Sequence, residues 1–161
     1  MDISVVLDLM IHDIDLVIQM IDSSIKEIIA DGISVLSNNV DLANVKLIFK
    51  NGAVANLTAS RISGKDMRKM RVFENKKYTS IDLLNKDVKE YSAHSINKEK
   101  LIFNHENIVV NKTDALAAEL IHFYNCIIDN DSSTKNIENA ITALKIAQEI
   151  NEIIQTKKVT Q

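Results

Sequence analysis

Residues 5–21, VVLDLMIHDIDLVIQMI, interrupt a long apolar run with Asp8, His12, Asp15 and Gln19. At about 100° per residue these four side chains fall within about 60° of one another, so the spacing predicts a largely buried helix with one narrow polar seam. Asp13 lies off that seam and is expected to cap or pair locally. From about 24 to 111 the pattern changes to short alternating segments separated by turn signals, which predicts an antiparallel or mixed sheet. Strands are expected over 25–36, 67–74, 77–84, 87–93 and 106–111, together with a hairpin in DLANVKLIFK-NG-AVANLTASR.

In that hairpin Asn51-Gly52 is a preferred pair for a two-residue type I′ turn. Such a turn sets Phe49 opposite Val54, Leu47 opposite Asn56 and Val45 opposite Thr58 on one face, with Ile48–Ala55, Lys46–Leu57 and Asn44–Ala59 on the other. Neither face is then cleanly polar. That predicts helices over one side and a second surface over the other, hence a homo-oligomer, most simply a dimer through the sheet. Two further helices are expected in the last third. One is 113–129, with an apolar face of Leu116, Leu120, Phe123, Tyr124 and Ile127; the other is 136–156, with Ile137, Ala140, Ile141, Leu144 and Ala147. The order of helix, multi-stranded sheet and two helices predicts an α+β fold over 1–161 as a single domain, its helices packed on one face of an open sheet.

The composition narrows the chemistry. The chain has 161 residues, 46% hydrophobic and 25% charged, enough for about one domain with a core. Its formal charge of -3 provides no global attraction to nucleic acid or anionic lipid, and no nucleic-acid or membrane partner is expected. Asp8, His12, Asp13 and Asp15 break the first apolar run well short of the roughly 20 residues that span a bilayer. A lone cysteine, Cys126, and no signal-peptide pattern point to a reducing, cytoplasmic location. With only Gly32, Gly52 and Gly64 in the chain, no G-x-G-x-x-G loop exists, and Ala59 and Asp66 spoil a Walker A reading around Gly64-Lys65. The chain is not expected to hold a nucleotide cofactor by itself.

Candidate chemistry centres on the seam. Asp8 and His12 at i, i+4 can share one face, where a carboxylate orients an imidazole; the alternative is a histidine that only satisfies its own hydrogen bonds in the core. No metal site is expected, because a helical zinc motif needs two histidines and only His12 is present there. Cys126, mid-helix among apolar neighbours, reads as inert. The stretch 61–77 carries Arg61, Lys65, Arg68, Lys69, Arg71, Lys76 and Lys77 against Asp66 and Glu74, a local excess of five positive charges. It is either an anion site or a solvated hairpin face. With aromatics at 4% of residues, no stacking platform for bases is visible beside it.

The segment DLMIHDIDLV, residues 8–17, resembles the start of the C-terminal domain in the Gfo/Idh/MocA family of NAD(P)-dependent sugar and polyol oxidoreductases. There an Asp-x-x-x-His segment, often followed by Asp-x-Asp, opens a helix facing the nicotinamide; Met10 stands where the family usually has Gly. The likeness continues through VDLANVKLIFKNGAVANLTASRISGKDMRKMRVF and fits the terminal helices. It implies that His12 takes the proton of a sugar hydroxyl as hydride leaves for NAD or NADP, with Asp8 orienting the imidazole or binding substrate. Asp15, Arg61, Lys65 and Arg68 would bind substrate, the last three near the diphosphate of a nucleotide-linked sugar. The family's Rossmann domain and Glu-Lys-Pro motif have no counterpart in these residues, so the chain is expected to be inactive alone and to need that domain in cis or in trans. The competing expectation is a non-enzymatic dimerisation module derived from the same domain.

Overall fold

The structure, a computed structural model, describes residues 3–97, 100–110, 114–129 and 134–159. The chain divides into two compact units, residues 1–64 with 132–161, and residues 65–131. The fold is α+β, with two antiparallel sheets and three α-helices.

The first unit opens with a five-residue π turn, Val6–Met10, that leads into α1, Ile11–Met20. The sheet follows as β1 (Ile25–Ile33), β2 (Leu42–Phe49) and β3 (Val54–Ser60), in that order across it. The chain returns to this unit as α3, Thr134–Val159. One face of the sheet, Ala30, Ala43, Val45, Leu47, Phe49 and Ala59, is buried with Val5, Val6, Met10, Ile14 and Val17 of the first helical segment and Ala143, Ile146, Ala147, Ile150 and Ile154 of α3. Gly32 lies against Val40 and against Ile154 of α3. A Cβ there would stand 2.7 Å from Val40 Cγ1 and 3.1 Å from Ile154, so a larger residue would overpack the contact.

The β2–β3 hairpin is one residue out of the expected register. Its pairs are Ile48–Val54, Leu47–Ala55, Lys46–Asn56, Val45–Leu57, Asn44–Thr58 and Ala43–Ala59. Phe49 N–H donates to the Ala53 carbonyl at 2.9 Å and Gly52 N–H to the Phe49 carbonyl at 3.0 Å, closing a three-residue loop, Lys50 to Gly52. Of these residues only Gly52 has positive φ, +88°, whereas a type I′ turn needs two. A slip of one residue moves every side chain to the other face. The faces therefore sort after all: Ala43, Val45 and Leu47 pair with Ala59, Leu57 and Ala55 inside, while Asn44 and Lys46 meet Thr58 and Asn56 outside. The expected pair of mixed faces is not present on this hairpin, and the sequence-based reason for a second covering subunit goes with it.

On α3 the buried stripe is Ala143, Ile146, Ala147, Ile150 and Ile154. Of the expected face, Ile137, Ile141 and Leu144 are exposed and Ala147 alone is buried.

The second unit holds β4 (Lys69–Glu74), β5 (Lys77–Asp82), β6 (Asp87–Asn97), β7 (Lys100–Ile108) and α2 (Ala115–Ile128). The four strands pair antiparallel in sequence order. The last two pair over a longer stretch than 87–93 and 106–111 suggest, because no Gly or Asn-Gly in the sequence there marks where one strand gives way to the next. Asp114 caps α2 by accepting the N–H groups of Leu116 and Ala117 at 2.9 and 3.2 Å. Its apolar residues Leu116, Leu120, Phe123, Tyr124 and Ile127 are exposed.

One residue from each strand contributes to a row of rings across this sheet: Phe73 to Tyr78 at 4.8 Å, Tyr78 to Tyr91 at 5.4 Å, and Tyr91 to His105 at 4.8 Å between centroids. The sequence shows no such platform; strand register creates it. These spacings match the distance between neighbouring strands, so the rings turn their faces to one another and their edges outward. A base laid on the row would meet edges, a poor stacking surface.

Candidate active site

The expected seam is rearranged by the π turn. Ile11 N–H donates to the carbonyl of Val6, a five-residue step that widens the helix where 100° arithmetic assumes a regular turn. Among the described residues Asp8 is not bonded to His12. Its carboxylate Oδ2 instead receives the Arg61 guanidinium Nη2 at 2.9 Å, across from the end of β3. Arg61 is 8% exposed and Asp8 50%. His12, on the first turn of α1, is exposed to solvent and not sealed in the core. Asp15, one turn on, is half-buried and accepts from Gln19 Nε2 at 2.7 Å.

Of the basic residues expected to gather an anion, the structure brings Arg61 to the seam, as a partner of Asp8. Lys65 and Arg68 are exposed and belong to the second unit. Cys126, on α2, is partly buried with its sulfur 3.7 Å from the His122 ring. Among the described residues no three His, Cys, Asp or Glu side chains converge as a metal site, and no helix is long and apolar enough to cross a membrane.

Asp41 is the residue that sequence reading passes over. It is 1% exposed. Its Oδ2 accepts the N–H groups of Val35, Leu36 and Ser37 at 2.8, 2.8 and 3.0 Å, and its Oδ1 the Ser37 hydroxyl at 2.9 Å, which ties down the β1–β2 loop. Its own carbonyl accepts the Arg61 N–H at 3.0 Å, while the carbonyl of Val40 accepts the Val5 N–H at 2.8 Å. Residues 40 and 41 thus anchor both ends of the Asp8–Arg61 pair. An Asp a few residues beyond a Ser-rich loop is the only trace of this in the sequence.

The Leu36 and Val35 amides, chiefly, hold the Asp41 carboxyl far below the usual carboxylate range, outweighing the opposing effect of burial. A carboxylate with a depressed folded-state pKa adds stability above its unfolded value near 4 and loses it as pH falls through the depressed value. Amide exchange at Val35, Leu36 and Ser37 should therefore stay slow down to about pH 4 and quicken only in stronger acid. Asp41→Asn, which sets an amide NH2 or a single oxygen against those donors, should quicken it at neutral pH. Equal protection in the variant would remove Asp41 as the anchor.

Residues 3–77 match the family model described as the GFO/IDH/MocA C-terminal domain. UDP-N-acetylglucosamine 3-dehydrogenase from Acidithiobacillus ferrooxidans is 35% identical over 128 residues, covering 79% of this chain and 41% of that protein. A solved structure of that dehydrogenase superposes with a TM-score of 0.85 at 30% identity, over 96% of this chain and 48% of the other. Levoglucosan dehydrogenase in complex with NADH shares the fold, with a TM-score of 0.76 at 13% identity over 94% of this chain and 48% of its own. The chain spans less than half the length of these relatives. A family match over residues 3–77, with a superposition covering 96% of the chain, places the chain in the Gfo/Idh/MocA family of oxidoreductases, as its C-terminal domain.

Proposed function

We propose that this chain is the substrate-binding and assembly domain of an NAD(P)-dependent dehydrogenase acting on a nucleotide-linked amino sugar, and that it is inactive alone. The observation that carries the reading is the exposed His12 beside the outward-held Asp8, in a chain 35% identical to UDP-N-acetylglucosamine 3-dehydrogenase over 128 residues. His12 takes the O–H proton of the sugar carbon being oxidised, the role of a general base. Asp8, half-exposed, accepts a hydrogen bond from a substrate hydroxyl through its second oxygen, and Asp15 lies one turn further along the same helix. The basic stretch that holds Lys65 and Arg68 is carried into this reading as the proposed partner of the diphosphate.

The described residues do not fit a dinucleotide. Every strand pairing is antiparallel, with no parallel βαβ unit. Gly32, moreover, is spent under Val40 and Ile154 rather than in a phosphate loop. NAD or NADP therefore has to be held by another polypeptide segment, which supplies the hydride acceptor, and this chain is confined to binding the sugar and receiving its proton. The reading also takes residues 1–161 as one substrate-binding domain in a reducing, cytoplasmic setting and as a dimer through the sheet. The outer face of β1–β3, where Ile29, Ile33 and Val54 stand exposed, is the support left for that dimer.

The test mixes the chain with a separately expressed cofactor-binding half, NAD or NADP and a panel of UDP-sugars, and follows nicotinamide absorbance. Turnover in the mixture, none with either part alone, and sedimentation of the chain as a dimer are expected. A mixture that binds UDP-sugar and cofactor yet stays inert would leave the dimerisation module as the better reading.

A further inference from the structure

We propose that Arg61 is a positioning residue, which sets Asp8 for substrate and keeps it off His12, instead of a ligand for the substrate's phosphates. The inference rests on the roles given above to Asp8 and His12. Its geometry is separate from them. Three parts of the chain distant in sequence meet at residues 40 and 41: the start of the π turn through Val5, the end of β3 through the Arg61 N–H, and the β1–β2 loop through the Asp41 carboxylate. Fixed by its backbone on one side, Arg61 directs a nearly buried guanidinium at one oxygen of a half-exposed carboxylate.

Two consequences follow. A cation with 8% of its side chain exposed has little surface to offer a diphosphate, which needs several donors around it. The same contact takes up Oδ2 of Asp8 and turns the carboxylate toward β3, while among the described residues neither Oδ1 of Asp8 nor the His12 imidazole is bonded. Without Arg61 the carboxylate loses the contact that turns it toward β3 and can swing toward the histidine four residues on.

Positioning and phosphate binding predict different kinetics. A phosphate contact binds ground state and transition state alike, so its loss raises KM; a misplaced acid–base constellation lowers kcat. In the reconstituted enzyme Arg61→Gln should lower kcat by about 10- to 100-fold, since small displacements at a reacting centre cost on that scale, with KM for the UDP-sugar nearly unchanged. Arg61→Lys, which can still reach Asp8, should recover part of kcat. On the chain alone, NMR of Arg61→Gln should show the Asp8 carboxyl carbon and the amides of the π turn shifted, with Arg61→Lys closer to wild type. An unmoved Asp8 carboxyl signal in a folded Arg61→Gln chain, or a tenfold rise in KM at constant kcat, overturns the inference. If wild type shows no turnover, the dehydrogenase reading fails by itself, and the NMR comparison still decides whether Arg61 holds Asp8.

Discussion

His12→Ala should lower turnover of the reconstituted enzyme by about 100- to 10,000-fold, the usual contribution of a general base. The stability of the chain should hardly change. His12 is exposed on the first turn of α1, and alanine is the better helix former, so the substitution removes an imidazole without opening the core or leaving a buried group unpaired. Circular dichroism and urea unfolding should overlay wild type while nicotinamide reduction is lost. Asp15→Ala should be milder, because Asp15 is bonded to Gln19 and stands a turn from the proposed base. Turnover at the wild-type rate in His12→Ala would assign proton removal to another group and reduce the seam to a solvated helix face.

What the sequence reveals of this site follows from the range of the forces that build it. The helix is legible because helical periodicity acts between residues three and four apart, and its few polar positions bring Asp8, His12 and Asp15 forward as candidates. The π turn is not legible. No Gly or Pro marks it, and the bonds that flank it come from Val40 and Arg61, more than thirty residues away. The same limit applies to α3, which carries two apolar stripes. Only tertiary packing selects Ala143, Ile146, Ala147, Ile150 and Ile154 over Ile137, Ile141 and Leu144. In the four-stranded sheet, alternation assigns Phe73, Tyr78, Tyr91 and His105 each to a face, but register alone aligns them. Asp41 lies nearly silent for a further reason: three of the four groups it accepts from are backbone N–H groups, which leave no mark in residue type.

Phe49→Ala should cost about 3–5 kcal/mol, the largest stability change expected of any single substitution here. Phe49 is 1% exposed, the bulkiest of the fully buried side chains, and ends the inner row of β2 beside Leu47 and Val45. Its removal leaves a cavity in the core that rigid sheet and helix backbones cannot close. Ile48→Ala, on the outer face and half-buried, should cost about 1 kcal/mol. Neither value alone fixes the hairpin register, because Phe49 stays inward on either pairing; a double-mutant cycle does. Ile48 and Val54 are direct cross-strand partners and should couple by about 0.2–1 kcal/mol. Phe49 and Val54 lie on opposite faces and should add within about 0.3 kcal/mol. Coupling of Phe49 with Val54 and none of Ile48 would restore the two-residue Asn51-Gly52 turn. It would move Asn56 and Thr58 under the helices, where each buried polar side chain would need a partner that the inner face does not offer.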